Sequence, residues 1–80
     1  MGIKKAVVQR FQELCAQRKI AVNALANMAG VTPSTVYSVL DPKRKDVGIV
    51  AIKKLCDGLE ITLEDFFSGE VFCALEQEIV

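Results

Sequence analysis

Apolar residues recur along this chain with the spacing of helix faces, one segment after another. In Ile3–Arg18, Val7, Phe11, Leu14 and Cys15 fall at i, i+4, i+7 and i+8 and make one stripe, leaving Arg10, Gln17 and Arg18 on wet faces. Lys19 and Ile20 read as a turn. A second helix is predicted over Val22–Ala29, with Leu25, Ala26 and Ala29 inward and Gly30 where a helix end needs a left-handed residue. Its start is poorly marked, because Ala21 cannot cap and Asn23 is the one nearby side chain that could. A third helix has Thr32 as its cap and Pro33 at the first helical position, where a missing N–H costs nothing. It buries Val36, Val39 and Leu40 and ends near Leu40, since Pro42 disfavours helix at Asp41. Asp41–Val47 is a polar, basic loop. Ile49, Ile52, Leu55 and Cys56 form the stripe of a fourth helix, Ile49–Gly58, with Gly48 at its start. Thr62 opens a short fifth, with Glu64 and Asp65 near its positive end and Phe66 and Phe67 closing it. Phe72, Leu75 and Ile79 then follow at i, i+3, i+7, a short C-terminal helical extension. The chain is expected to be all-α: five helices over residues 1–69 around a core where Phe11, Leu25, Val36, Ile52, Leu55 and Phe66 meet, and an extension over 70–80.

Composition fits this reading. Eighty residues make one domain, and 51% apolar content is enough for a core and argues against disorder. No apolar run approaches the roughly 20 residues that cross a bilayer, and Gln9, Arg10, Gln12 and Glu13 interrupt any signal-like segment, so a cytoplasmic protein is expected. Cys15, Cys56 and Cys73 make neither a CxxC pair nor a disulfide framework, and there is no His. Three buried or half-buried thiols are expected, with no metal and no cofactor. With no nucleophile elbow, no phosphate-binding glycine loop and no carboxylate dyad either, the chain does not read as an enzyme.

The formal net charge of zero conceals an asymmetry. All ten basic residues precede residue 55, against three acids there, and the remaining seven acids all follow. Such a division is a nucleic-acid signal, although sequence halves need not be spatial halves.

Val22–Leu40 carries the candidate chemistry. Two short helices about a glycine turn can set the second against base edges in a major groove. On the third helix Pro33, Ser34, Thr35, Tyr37 and Ser38 point away from the Val36/Val39/Leu40 face and are the candidate base contacts. Short hydroxyls pair with several edges, and Pro33 or the Thr35 methyl suits a thymine methyl. The competing reading of Ser34 and Thr35 is help in capping the helix. Lys43, Arg44 and Lys45 follow directly, where docking the helix would bring them to phosphates. Arg18 and Lys19, before the second helix, and Asn23, within its first turn, are lesser phosphate candidates.

Ala26, Gly30, Val36 and Val39 are spaced as in the Cro/repressor (XRE) helix-turn-helix family, and the similarity continues through GVTPSTVYSVL and AIKKLCDGLEITLEDFF and more weakly through FCALEQEI. The chain resembles a small stand-alone transcriptional regulator of that family. The resemblance implies a five-helix DNA-binding fold, double-stranded DNA as partner, a homodimer on a palindromic site, repression as the outcome, and base reading at Ser34. Two positions depart from the family pattern. Ala21-Val22-Asn23 replaces the usual Ser/Thr-Gln start of the second helix, and Glu60 stands where glycine is common. No membrane and no small-molecule ligand are expected. Phe72, Leu75 and Ile79 are the candidate dimer stripe, with Glu70, Glu76 and Glu78 holding it on the side away from DNA; the alternative is that the tail folds back on its own domain. A protein-interaction module or an antitoxin-type partner on the same fold is the second functional reading.

Overall fold

The computed structural model describes residues 1–79, so the last residue of the expected extension, Val80, lies outside the described residues. Five α-helices form where the apolar periodicity places them: α1 (Ile3–Arg18), α2 (Val22–Ala29), α3 (Pro33–Leu40), α4 (Ile49–Gly58) and α5 (Leu63–Phe67), followed by a 3₁₀ turn at Glu70–Ala74. There is no strand among the described residues. Helix α2 packs chiefly on α4 and α3, and α4 meets α5. Phe11, Leu25, Val36, Ile52, Leu55 and Phe66 share one core with Val7, Leu14, Val39 and Leu59, and no polar side chain among the described residues is buried with them. Position in this fold is therefore set by apolar packing, not by buried hydrogen bonds.

Three helices end in the same way. The N–H of Ile20, Val31 and Ile61 reaches back to the carbonyl of Cys15, Ala26 and Cys56, and the residue before each (Lys19, Gly30, Glu60) is left-handed, with φ of 55°, 68° and 58°. Each turn satisfies orphan carbonyls and drops an aliphatic residue onto the core. Glycine stands at only one of the three, so only at Gly30 does residue type itself announce the left-handed conformation.

The structure corrects several expectations; Ile49, expected in the apolar stripe of α4, is exposed. Arg10 is not on a wet face. Its stem lies over Gly69 and its guanidinium donates from Nε to the Phe66 carbonyl (2.8 Å) and from Nη2 to the Asp65 carbonyl (2.9 Å), closing the C-terminal end of α5. Cys73 is exposed, because the 3₁₀ turn points it outward, while Cys15 is half-buried and Cys56 is buried, where loss of water pushes its thiol up to about 11. The stripe of Phe72, Leu75 and Ile79 does not form, since helical geometry stops at Ala74 and Leu75 is extended. Phe72 turns inward, its ring 5.7 Å from Phe66 and 5.0 Å from Phe67 between centroids, whereas Leu75 and Ile79 stay exposed. Nor does the acidic tail lie on a remote side. The Glu76 carboxylate takes the amino terminus at 2.9 Å, its N–H reaches the Met1 carbonyl, and Glu78 accepts from the Ile3 N–H at 3.4 Å. The free amine and the open amides of a helix start draw carboxylates to this end of α1.

The exposed Glu60 makes no ion pair among the described residues, so the left-handed backbone is its main energetic feature. Glu60→Gly should stabilise the fold by about 0.5–1 kcal/mol, read as a higher midpoint in urea with unchanged slope.

Candidate nucleic-acid interface

The α2–α3 pair is set by two glycines. Gly30 makes the turn between the helices at φ 68°, and an added Cβ would meet no atom within 4 Å, so backbone conformation alone favours glycine there. Gly58, at the end of α4, lies against the backbone of Ala29: an added Cβ would stand 2.7 Å from the Ala29 nitrogen. Ala26 is fully buried on the same helix. With small residues on the contact side, α2 sits deep against α4, and α3 is carried across the surface with Val36 and Val39 buried beneath it.

Helix α3 therefore presents its other face to solvent. Pro33, Ser34 and Tyr37 are exposed, and Thr35 and Ser38 are less so, Thr35 being half-buried. Thr32 does not cap in the expected manner. Its Oγ1 is 3.0 Å from both Ser34 Oγ and Thr35 Oγ1, and the Thr35 N–H instead takes the Thr32 carbonyl at 3.0 Å. Adjacent hydroxyls have outcompeted the backbone amide for the threonine oxygen. The result is a row of three linked hydroxyls at the start of α3, with donors and acceptors suited to base edges or phosphate oxygens.

The basic loop leaves α3 at Asp41. The Asp41 Oδ1 accepts from the Lys43 N–H at 2.9 Å, the Arg44 N–H reaches the Asp41 carbonyl at 3.2 Å, and the Asp41 carboxylate stands 4.0 Å from Arg44 Nε. This tight turn exposes Lys43, Arg44 and Lys45, and Lys43 and Lys45 make no ion pair among the described residues. A shallow hollow of about 260 Å³ between α3, the loop and the start of α4 is lined by Thr35, Ser38, Arg44 and Val47, with Asp46 as its acid. Outside this region, Arg18, Lys19 and Asn23 are exposed around the start of α2, which has no side-chain cap at Ala21 and so keeps its first amides open.

The structure thus brings Ser34, Thr35, Ser38 and Arg44 into one neighbourhood. It sets Phe72 apart, in the aromatic cluster of its own core. Sequence reasoning missed Lys4, whose ammonium donates at 2.8 Å to the carbonyls of both Asp41 and Arg44. Its only trace in the sequence was a basic residue near the start of a helix, which does not distinguish it from Lys5.

Among known proteins, residues 10–70 match the Cro/C1-type helix-turn-helix DNA-binding domain. The solved structure titled "Crystal structure of the prophage Lp1 protein 11" is similar over 88% of this chain and 93% of that one, with a TM-score of 0.77 and 31% identity. No curated protein matches.

Substitution separates the two glycines physically. Gly30→Ala should cost about 1 kcal/mol, the strain of a left-handed alanine with free space around it. Gly58→Ala should cost more, about 2 kcal/mol or above, because backbone must move to admit the methyl. Urea unfolding measures both, and equal costs would contradict the close approach.

Proposed function

The chain belongs to the Cro/C1-type helix-turn-helix DNA-binding family, and from that premise we propose that it is a sequence-specific transcriptional regulator, a repressor that places α3 in the major groove of double-stranded DNA. The observation that supports this most is the continuity of an exposed polar helix face with an exposed basic turn. Pro33, Ser34, Thr35, Tyr37 and Ser38 read base edges and sugar; Lys43, Arg44 and Lys45 hold phosphates. Asn23 and the open amides at the start of α2 take a further phosphate, in place of the family's glutamine, with Arg18 and Lys19 nearby. No helix among the described residues is long and apolar enough to cross a membrane.

One short recognition helix reads only a few base pairs, so two copies are needed to find a site, with half-sites about one helical turn apart. The protein acts as a homodimer. Leu75 and Ile79 are the exposed apolar groups of the tail available for that contact, while Phe72 contributes through its own domain's core. Likeness to a prophage protein favours a phage-type switch as the setting.

Selection of bound duplexes from a random pool tests the reading. It should yield a two-fold symmetric site bound far more tightly than either half alone. Joint replacement of Lys43, Arg44 and Lys45 by Ala should weaken binding to all duplexes alike and flatten the salt slope by about 0.9 for each phosphate no longer neutralised, whereas Ser34→Ala should change the sequence preferred. Recovery of no preferred sequence, with binding insensitive to salt, would contradict the proposal and favour the protein-interaction reading.

A further inference from the structure

Lys4 belongs to α1, some forty residues from the basic turn in sequence, yet its ammonium is the link between them. It donates to the Asp41 carbonyl and to the Arg44 carbonyl, both at 2.8 Å. The first of these is the C-cap of α3 and the second lies within the basic turn. Lys4 is half-buried, and Val8 and Pro42 line the cleft beside it. Charge-assisted hydrogen bonds over an apolar floor are stronger than those of a solvated lysine. The other ties of the turn are local: Asp41 to Lys43 and Arg44, and a long 3.4 Å bond from the Asp41 N–H to the Ser38 carbonyl. These hydrogen bonds shape the turn and Leu40 and Val47 anchor its flanks on the core, while the Lys4 bonds tie the Asp41 and Arg44 carbonyls to α1. Helix α3 also ends without a basic residue in its last turn, and the Lys4 ammonium supplies positive charge at that end.

We propose that Lys4 is a positioning residue for DNA binding: it clamps the end of α3 and the Lys43–Lys45 turn to α1, so that base-reading and phosphate-holding groups keep one fixed spacing. This rests on the DNA-binding reading of the turn. Lys4 commits two of its three donors to carbonyls and acts through the turn, not by gripping DNA itself. Holding the turn in advance removes an ordering cost from binding, which is how a residue remote from the partner raises affinity.

The test uses Lys4→Met, which keeps the aliphatic stem and removes the donors, and Lys4→Arg, which restores them. Without DNA, amide exchange at Lys43 and Arg44 should quicken about tenfold in Lys4→Met and return toward the parent rate in Lys4→Arg, with the core amides unchanged. Unchanged exchange at those two amides would overturn the clamp. With a random-sequence duplex, Lys4→Met should weaken binding about tenfold in the parent background and have little effect when Lys43, Arg44 and Lys45 are already Ala. An equal loss in both backgrounds would mean that Lys4 meets phosphate directly, and would overturn the proposal while leaving the DNA reading intact. Parent-like binding by the triple variant would instead refute the phosphate role of the turn and the proposal with it, whatever the exchange rates report about the clamp.

Discussion

The depth at which α2 settles against α4 governs everything on the exposed side of α3. No buried polar pair links these helices among the described residues, so their spacing is a matter of side-chain volume. Ala26, Ala29 and Gly58 keep that volume small, and the backbones come within a methyl group of one another. A deeper α2 carries α3 with it through the turn at Gly30, and Val36, Val39 and Leu40 anchor α3 on the core. That arrangement leaves Pro33, Ser34 and Tyr37 exposed on α3, with Thr35 and Ser38 half-exposed beside them. Close packing transmits such spacing faithfully, because interiors are dense and yield little to a change of one methyl group.

The fold was legible wherever information was local. Apolar periodicity placed the first four helices and the Thr62 cap the fifth, and Gly30, Pro33 and Pro42 punctuated the segment that carries the candidate site. The sequence placed a turn at Lys19 and marked Glu60 as standing where glycine is common, but residue type did not announce the left-handed backbone at either, since tertiary packing holds a lysine and a glutamate in a conformation that favours glycine. Phe72 misled for a different reason. Its spacing with Leu75 and Ile79 suits a helix, but Phe66 and Phe67 offered it a better place than solvent, and the chain gave up α-helical geometry to reach them. Thr32 had the right type for a cap and found two hydroxyls closer to hand.

The charge division along the sequence overstates the positive surface. Arg10 is committed to carbonyls of α5 and to Glu13, Lys53 pairs with Asp57 on its own helix, and Lys4 holds the basic turn. In the exposed turn that follows α3, Lys43 and Lys45 make no ion pair among the described residues, while Arg44 stands 4.0 Å from Asp41. The tail adds a nuance: Glu76 and Glu78 sit at the same end of α1 that carries Lys4, so negative charge lies closer to the basic turn than the sequence suggested. The amino terminus beside Glu76, through a hydrogen bond and its charge, holds that carboxyl below its ordinary range.

The central claim, that α3 and the turn behind it form the DNA-facing surface, is tested most directly by mapping backbone amide shifts of the labelled protein as a selected duplex is added. The account predicts that the largest changes fall on residues 33–38 and 43–45, with smaller ones at the start of α2 and none in the Phe66–Phe72 cluster. Changes concentrated on the tail or on α5, with α3 unmoved, would contradict it.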